Sequence, residues 1–232
     1  MEKRSIAIDG PSGAGKSTLA KMAAKEFGLI YVDTGAIYRC VGLYTLRCGV
    51  DSKDADAVTA LLPDINIEIC YNDEGAQCMI LNGEDVSTEI RMPPVSIYAS
   101  DVSAIPAVRA FLLDMQRSMA ERYDVIMDGR DIGTVVLPNA GLKVFLTASA
   151  EARAQRRFVE LQAKGVETTF EDVLRDINYR DHNDSTRAEA PLKQAEDAVL
   201  LDTSLLDLEQ SFDALTKIIK ENLGHDHAIQ II

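Results

Sequence analysis

No apolar run in this 232-residue chain approaches the length of a membrane span, which takes about 20 residues. The apolar stretch that follows Met1-Glu2-Lys3-Arg4 is too short to be the core of a secretory signal, so a cytoplasmic protein without membrane attachment is expected. Cysteine is scarce as well. Cys40, Cys48, Cys70 and Cys78 lack close metal-ligand spacing, which argues for reduced thiols and against a disulfide framework or a zinc site. There is no surplus of positive charge: the formal net charge is −13. Such a surface repels a phosphate backbone, which excludes a nucleic-acid polymer as partner and requires a local basic cluster for any polyanionic ligand. Internal repeats, low-complexity tracts and oligomerisation patterns are also missing, and a monomer is the expectation.

What the chain does have is enough apolar content, 47%, to bury one core, since a single core stops growing only beyond roughly 250 residues. Short apolar runs bounded by turn residues read as buried parallel strands at 6–8, 30–32, 125–127, 143–146 and 199–201. Helix formers follow Lys16 and stop near Gly28; further helices are expected over 108–122 and from the N-cap Ser149 to Gly165. Strand alternating with helix predicts an α/β doubly wound sheet of about five parallel strands. Residues 65–71 break that rhythm by alternating apolar and polar side chains, turn residues follow at 72–75, and a second strand candidate covers 78–81: a small antiparallel β insert. One domain over 1–224 accounts for the chain, with a frayed tail at 225–232.

Between the first strand and the first helix lies Gly10-Pro11-Ser12-Gly13-Ala14-Gly15-Lys16-Ser17, followed by Thr18. It fits GxxxxGK[ST] in the strand-to-helix context that a P-loop requires. The glycines let backbone N–H groups turn inward onto phosphate oxygens, at the positive end of a helix. Lys16 is expected at the β- and γ-phosphates and the Ser17 hydroxyl on Mg²⁺. The loop implies a nucleoside triphosphate, but GTPases, ATPases and small-molecule kinases share it.

Three further clusters bear on a second substrate. Asp33-Thr34-Gly35-Ala36-Ile37-Tyr38-Arg39 leaves the second strand at its carboxyl end, where open α/β sheets bind ligands. Either Thr34 and Arg39 hold a phosphate there, or Asp33 or Thr34 is only an N-cap and Arg39 a solvated helix residue. Asp128-Gly129-Arg130-Asp131-Ile132-Gly133-Thr134 leaves the third strand. Asp128 stands where a carboxylate orients Mg²⁺ or its water, Arg130 suits a bidentate phosphate contact, and Asp131 can accept from an exocyclic amine such as cytosine N4; an ordinary Asp-Gly turn is the alternative. Arg153, Arg156 and Arg157 crowd one helix, which gains a rationale if an anion sits over them, although Glu160 can pair with Arg156 or Arg157. The run from Tyr179 to Arg187, with Arg180 and Asp184, reads equally as a site or as a surface turn.

With Arg187-Ala188-Glu189-Ala190-Pro191-Leu192 added to these motifs, the chain resembles bacterial cytidylate kinases from Ile6 to about Leu201. The resemblance implies transfer of the ATP γ-phosphate to CMP or dCMP, with Mg²⁺. It also implies a monophosphate-binding insert, about 39–108, and a short helical lid, about 150–180. It places Ser100, Arg109 and Asp131 on the cytosine base. Thr34, Arg39, Arg130 and Arg187 would surround the monophosphate, with Arg180 and Asp184 near the sugar and phosphate. Arg153 and Arg157 would approach the transferring phosphoryl group from the lid. The family often has Ser at the position of Thr34 and Gly at that of Ser17. Competing functions are a P-loop kinase for another small acceptor and a regulatory NTPase.

Overall fold

The computed structural model describes residues 3–73 and 75–223; the expected tail at 225–232 lies outside the described residues. Five parallel strands form the main sheet: β1 (Ser5–Asp9), β2 (Ile30–Asp33), β6 (Val125–Gly129), β7 (Leu142–Thr147) and β8 (Val199–Asp202), in the order β2-β6-β1-β7-β8. Each contains a run expected from sequence. Ile6, Ala7, Ile8, Val125, Ile126 and Met127 are wholly buried, as expected of strands covered on both faces.

Helix α1 (Lys16–Phe27) is built from Ala, Leu and Lys and ends where Gly28 turns left-handed, its N–H bonding to the Ala24 carbonyl. It packs with α8 (Leu208–Leu223) on one face of the sheet, where Leu19, Ala23, Leu215 and Ile219 join Ile6 and Ile8. On the other face α5 (Pro106–Arg122) covers Ala7, Val32 and Met127 through Leu113 and Met119. Pro106 stands at the first helical position, where no N–H is needed.

The insert is larger than a hairpin. Strands β3 (Ile67–Tyr71) and β4 (Gln77–Leu81) pair antiparallel as expected, and a short β5 (Glu84–Asp85) adds a third strand. Their apolar face joins α2 (Thr34–Arg47), α3 (Ala55–Leu61), α4 (Pro93–Val102) and α5 in a second core that contains Ile37, Val41, Met79, Leu81, Ile90 and Leu112.

A third, smaller core lies between α6 (Ala150–Ala163) and α7 (Phe170–Thr186), where Ala154, Leu161, Val173 and Ile177 meet and Phe158 abuts Phe170 edge-on at 6.4 Å. The Ser149 hydroxyl caps α6 at the Ala152 N–H, and Thr169 caps α7 at the Asp172 N–H. Helix α7 corrects the surface-turn alternative for Tyr179 to Arg187. Residues 179–186 are its last two turns, Asp184 is buried within them, and Arg187 is buried just beyond. Among the described residues no single helix is long and apolar enough to cross a membrane.

Candidate functional site

The P-loop leaves β1 and the loop at 130–131 leaves β6. These strands are neighbours, paired through Ile8 with Asp128 and Asp9 with Gly129. Chain connections run to opposite sides of the sheet at this point, which opens a crevice at the carboxyl ends of the strands. Gly10 makes the P-loop possible: a Cβ there would lie 1.9 Å from the Leu146 carbonyl oxygen. Gly129 has the same role beside it, where a Cβ would meet Thr34 Oγ1 at 2.7 Å.

A cavity of about 820 Å³ opens over these loops, lined by Ser12 to Leu19, Gly35, Asp128 and Gly129, and by six arginines: Arg39, Arg91, Arg130, Arg156, Arg157 and Arg180. The Lys16 ammonium donates to the Pro11 carbonyl at 2.8 Å. Burial, and Arg130 after it, pushes the Lys16 pKa down to about 7. Burial with Arg180 and Arg91 lowers Arg39 to about 9, and burial with Arg130 lowers Arg180 to about 10. A guanidinium does not give up its proton near neutrality; the depression reflects burial first and the neighbouring cations second, and a polyanion placed among them offsets both. The Arg180 Nε–H is buried without a hydrogen-bond partner, an arrangement that costs free energy unless a ligand completes it.

Asp128 and Asp33 place carboxylates at the cavity floor, and Asp128 is the one next to the P-loop. It accepts from Ser17 Oγ at 3.0 Å and from Tyr31 Oη at 2.8 Å. Burial, then the neighbouring Asp33 carboxylate, raises its pKa to about 6. A hydroxyl and a carboxylate oxygen held this close are hard oxygen donors of the kind Mg²⁺ accepts while it keeps several waters, so the residues fit that ion.

Asp33 is the N-cap of α2, accepting from the Ala36 N–H at 2.9 Å, and it pairs with Arg91 at 2.7 Å. Arg39 is no solvated helix residue: it lines the cavity and donates to the Ile90 carbonyl and to Ser96, both at 2.8 Å. The Thr34 hydroxyl donates to the Asp128 carbonyl and so braces the floor from the side.

Behind the cavity lies a second, closed cluster. Arg109 and Arg187 both reach Asp131, and Arg187 also donates to Ser103 and to the Ala190 carbonyl. Arg130 Nε pairs with Asp184 at 2.7 Å, while Asn183 donates to Ser100, whose hydroxyl faces Asp184 at 3.5 Å. The Ser103 hydroxyl donates to the Ser100 carbonyl at 2.8 Å and so joins these two groups, which brings Ser100, Arg109, Arg130, Asp131, Asp184 and Arg187 into one network. Arg130 belongs to both regions.

The three lid arginines separate. Arg157 lines the cavity and pairs with Glu160 at 2.8 Å. Arg156 turns to Thr203 and the Leu206 carbonyl instead of Glu160. Arg153 is 4% exposed and donates to the carbonyls of Ala148 and Ser12 and, through two nitrogens, to Asp181. It is a brace under the P-loop and does not line the cavity.

Sequence reasoning missed Arg91, Tyr31 and Asp181. Arg91 ends a short 3-10 turn, Glu89–Arg91, and no spacing rule connects it to Asp33 58 positions away. Tyr31 sits inside an apolar strand, where its hydroxyl gives no pattern signal, although a buried Tyr hydroxyl needs a partner.

Comparison with known proteins agrees with this architecture. Residues 6–221 match the family model described as Cytidylate kinase. The chain is 47% identical over 226 residues to the cytidylate kinase of Caldicellulosiruptor saccharolyticus, covering 97% of this chain and 100% of that one. It is 51% identical over 210 residues to that of Caldicellulosiruptor bescii, covering 90% and 92%. An uncharacterized protein from Eubacterium ventriosum has a similar fold, with a TM-score of 0.50, 12% identity and coverage of 94% and 99%. A P-loop over a cation-lined crevice, on a chain matched to one family over almost its whole length, shows that this protein is an enzyme, a nucleoside monophosphate kinase, and that it belongs to the cytidylate kinase family.

Proposed function

We propose that the protein transfers the γ-phosphate of ATP to CMP, and to dCMP, giving ADP and CDP or dCDP. The observation that carries this is the cluster of buried cations in one cavity between the P-loop and the Asp131 network, where Arg130 stands against both Lys16 and Arg180, and Arg180 against Arg39. A triphosphate donor and a monophosphate acceptor meeting end to end are what such a cluster can hold. Backbone N–H groups of residues 10–18 would bind the donor phosphates. Arg39, Arg130 and Arg180 would bind the acceptor monophosphate, with Thr34 bracing the floor and Arg187 next to Asp131.

The reaction asks the protein chiefly to align an acceptor oxygen with the γ-phosphorus and to neutralise charge on the equatorial oxygens. A 5′-phosphate is already largely ionised at neutral pH, so no side chain need act as general base. Ser17 and Asp128 would hold Mg²⁺, which when bound shares the charge of the β- and γ-phosphates. Arg157 is tethered only to Glu160, itself 47% exposed; such an exposed pair contributes little, which leaves Arg157 free to turn onto the transferring group when the lid closes. The lid would comprise about 150–180 and the acceptor-binding insert about 39–108, in a single domain over 1–224 that acts as a cytoplasmic monomer.

Base choice would rest on Asp131, with Arg109 and Ser100 beside it. The carboxylate accepts from the cytosine amino group; uracil would present a carbonyl to it, and two acceptors would face each other. A coupled assay of ADP formation with CMP, dCMP, UMP, AMP, GMP and dTMP, and an acceptor-free control, tests the reading. Turnover confined largely to CMP and dCMP is expected. Faster turnover of another acceptor would overturn the base assignment, and ADP formation in the control alone would indicate a regulatory NTPase.

A further inference from the structure

Asp9 ends β1 immediately before the P-loop and is 5% exposed. Its carboxylate does not face the cavity. One oxygen accepts from the Ile132 N–H at 2.7 Å and the other from the Gly133 N–H at 2.7 Å. These are the first two amides of a single π-helical turn, Ile132–Val136, which directly follows Arg130 and Asp131. The β1–β6 ladder ends with the pair Asp9 and Gly129. Beyond it no strand hydrogen bond relates the donor loop to the acceptor loop, and the Asp9 side chain takes over that connection.

The residue type is informative. Burial raises the Asp9 pKa to about 6 even though both amides pull it down, so keeping a carboxylate here opposes stability. An asparagine of the same shape would be neutral, but its side chain has one acceptor oxygen and could satisfy only one of the two amides. The opposing surface is fitted to this contact: a Cβ on Gly133 would lie 3.3 Å from the Asp9 oxygen and 3.0 Å from Lys143 Cδ.

We propose that Asp9 is a positioning residue whose two hydrogen bonds set the P-loop against the Arg130–Asp131 loop, and so align donor and acceptor for transfer. The inference rests on the kinase reading above. Each substrate keeps its own contacts when this link is cut; what is lost is their mutual register. A misplacement of about 1 Å can cost on the order of 10²-fold in rate. The expected signature of Asp9→Asn is therefore a fall in kcat of about 10- to 100-fold, with the dissociation constants of ATP and of the acceptor, each titrated alone by calorimetry, within about threefold of wild type. Gly133→Ala strains the same contact from the other side and should show the same signature more weakly, which covers the case of an Asp9→Asn chain that does not fold. Unchanged kcat in a folded Asp9→Asn variant would overturn the proposal, as would a kcat loss matched by weakened binding of one substrate. The acceptor used is whichever monophosphate the wild-type enzyme turns over best. Failure of the CMP assignment thus shows in the wild-type panel and failure of the positioning role in the variants; a wild-type enzyme that turns over no acceptor would sink both.

Discussion

The cavity over the P-loop and the network behind it are both rich in arginine, yet they are electrostatic opposites. In the cavity Arg39 and Arg180 sit among other cations, and the Arg180 Nε–H has no partner. In the network Arg109 and Arg187 converge on Asp131, and Arg130 holds Asp184. Uncompensated cations form a general receptor for phosphate. A closed ion-pair network is selective, because an incoming group must replace hydrogen bonds that already exist, and one that cannot replace them leaves buried charge unpaired. On the function proposed above, phosphate affinity would belong to the first region and base choice to the second.

The largest effect should come from the open region. Arg157→Ala removes a charge tied only to an exposed glutamate, and kcat should fall about 10³-fold while CMP binding changes little. Steady-state rates beside equilibrium titration check this; weaker CMP binding with kcat preserved would move Arg157 out of the transfer step. Next comes Arg153, which belongs with the engaged arginines despite lying one turn away. Arg153→Ala strips Asp181 and two carbonyls of their donor, and urea denaturation should show a loss of about 3 kcal/mol. A variant with wild-type stability and crippled kcat would restore the lid role that its place in the sequence suggested.

Within the closed region, Asp131→Asn should reduce the preference for CMP over UMP by about 10²-fold, because an amide can present either a donor or an acceptor to the base. Relative kcat/KM for the two acceptors is the readout. An intact preference would assign base reading to Arg109 and Ser100 instead.

The contrast also explains what the sequence could reveal. The P-loop is local: eight consecutive residues carry its glycines, lysine and hydroxyl, and the strand before it and helix after it follow from periodicity and propensity. All five parallel strands and the β3–β4 hairpin are legible for the same reason, whereas β5, two residues long, carries no pattern. The residues of the closed network could be named by resemblance, but not their mutual pairing, since Arg130 finds Asp184 across 54 positions and Arg187 finds Ser103 across 84. The separate fates of Arg153, Arg156 and Arg157 were beyond helical spacing, because each depends on what a different element places opposite it: Asp181 from α7, the Thr203 loop, or the cavity.

The smallest effect expected lies on the cavity floor. Ser17 closes the P-loop, and its hydroxyl shares Asp128 with Tyr31. Removing it leaves Asp128 one donor in place of two, a change of about 1 kcal/mol for a hydrogen bond of this kind. Ser17→Gly also loosens the first turn of α1, by roughly 0.5–1 kcal/mol relative to a good helix former, so Ser17→Ala is the cleaner substitution: it keeps the helix and deletes only the hydroxyl. If Ser17 also contacts the metal, half-maximal activity at fixed ATP should need about fivefold more Mg²⁺ in Ser17→Ala, with kcat at saturating Mg²⁺ within about twofold of wild type. Tyr31→Phe removes the other donor to Asp128 and leaves every P-loop side chain in place. An equal shift in Mg²⁺ requirement for Ser17→Ala and Tyr31→Phe would mean that the serine acts only through Asp128; a shift confined to Ser17→Ala would make it a ligand in its own right.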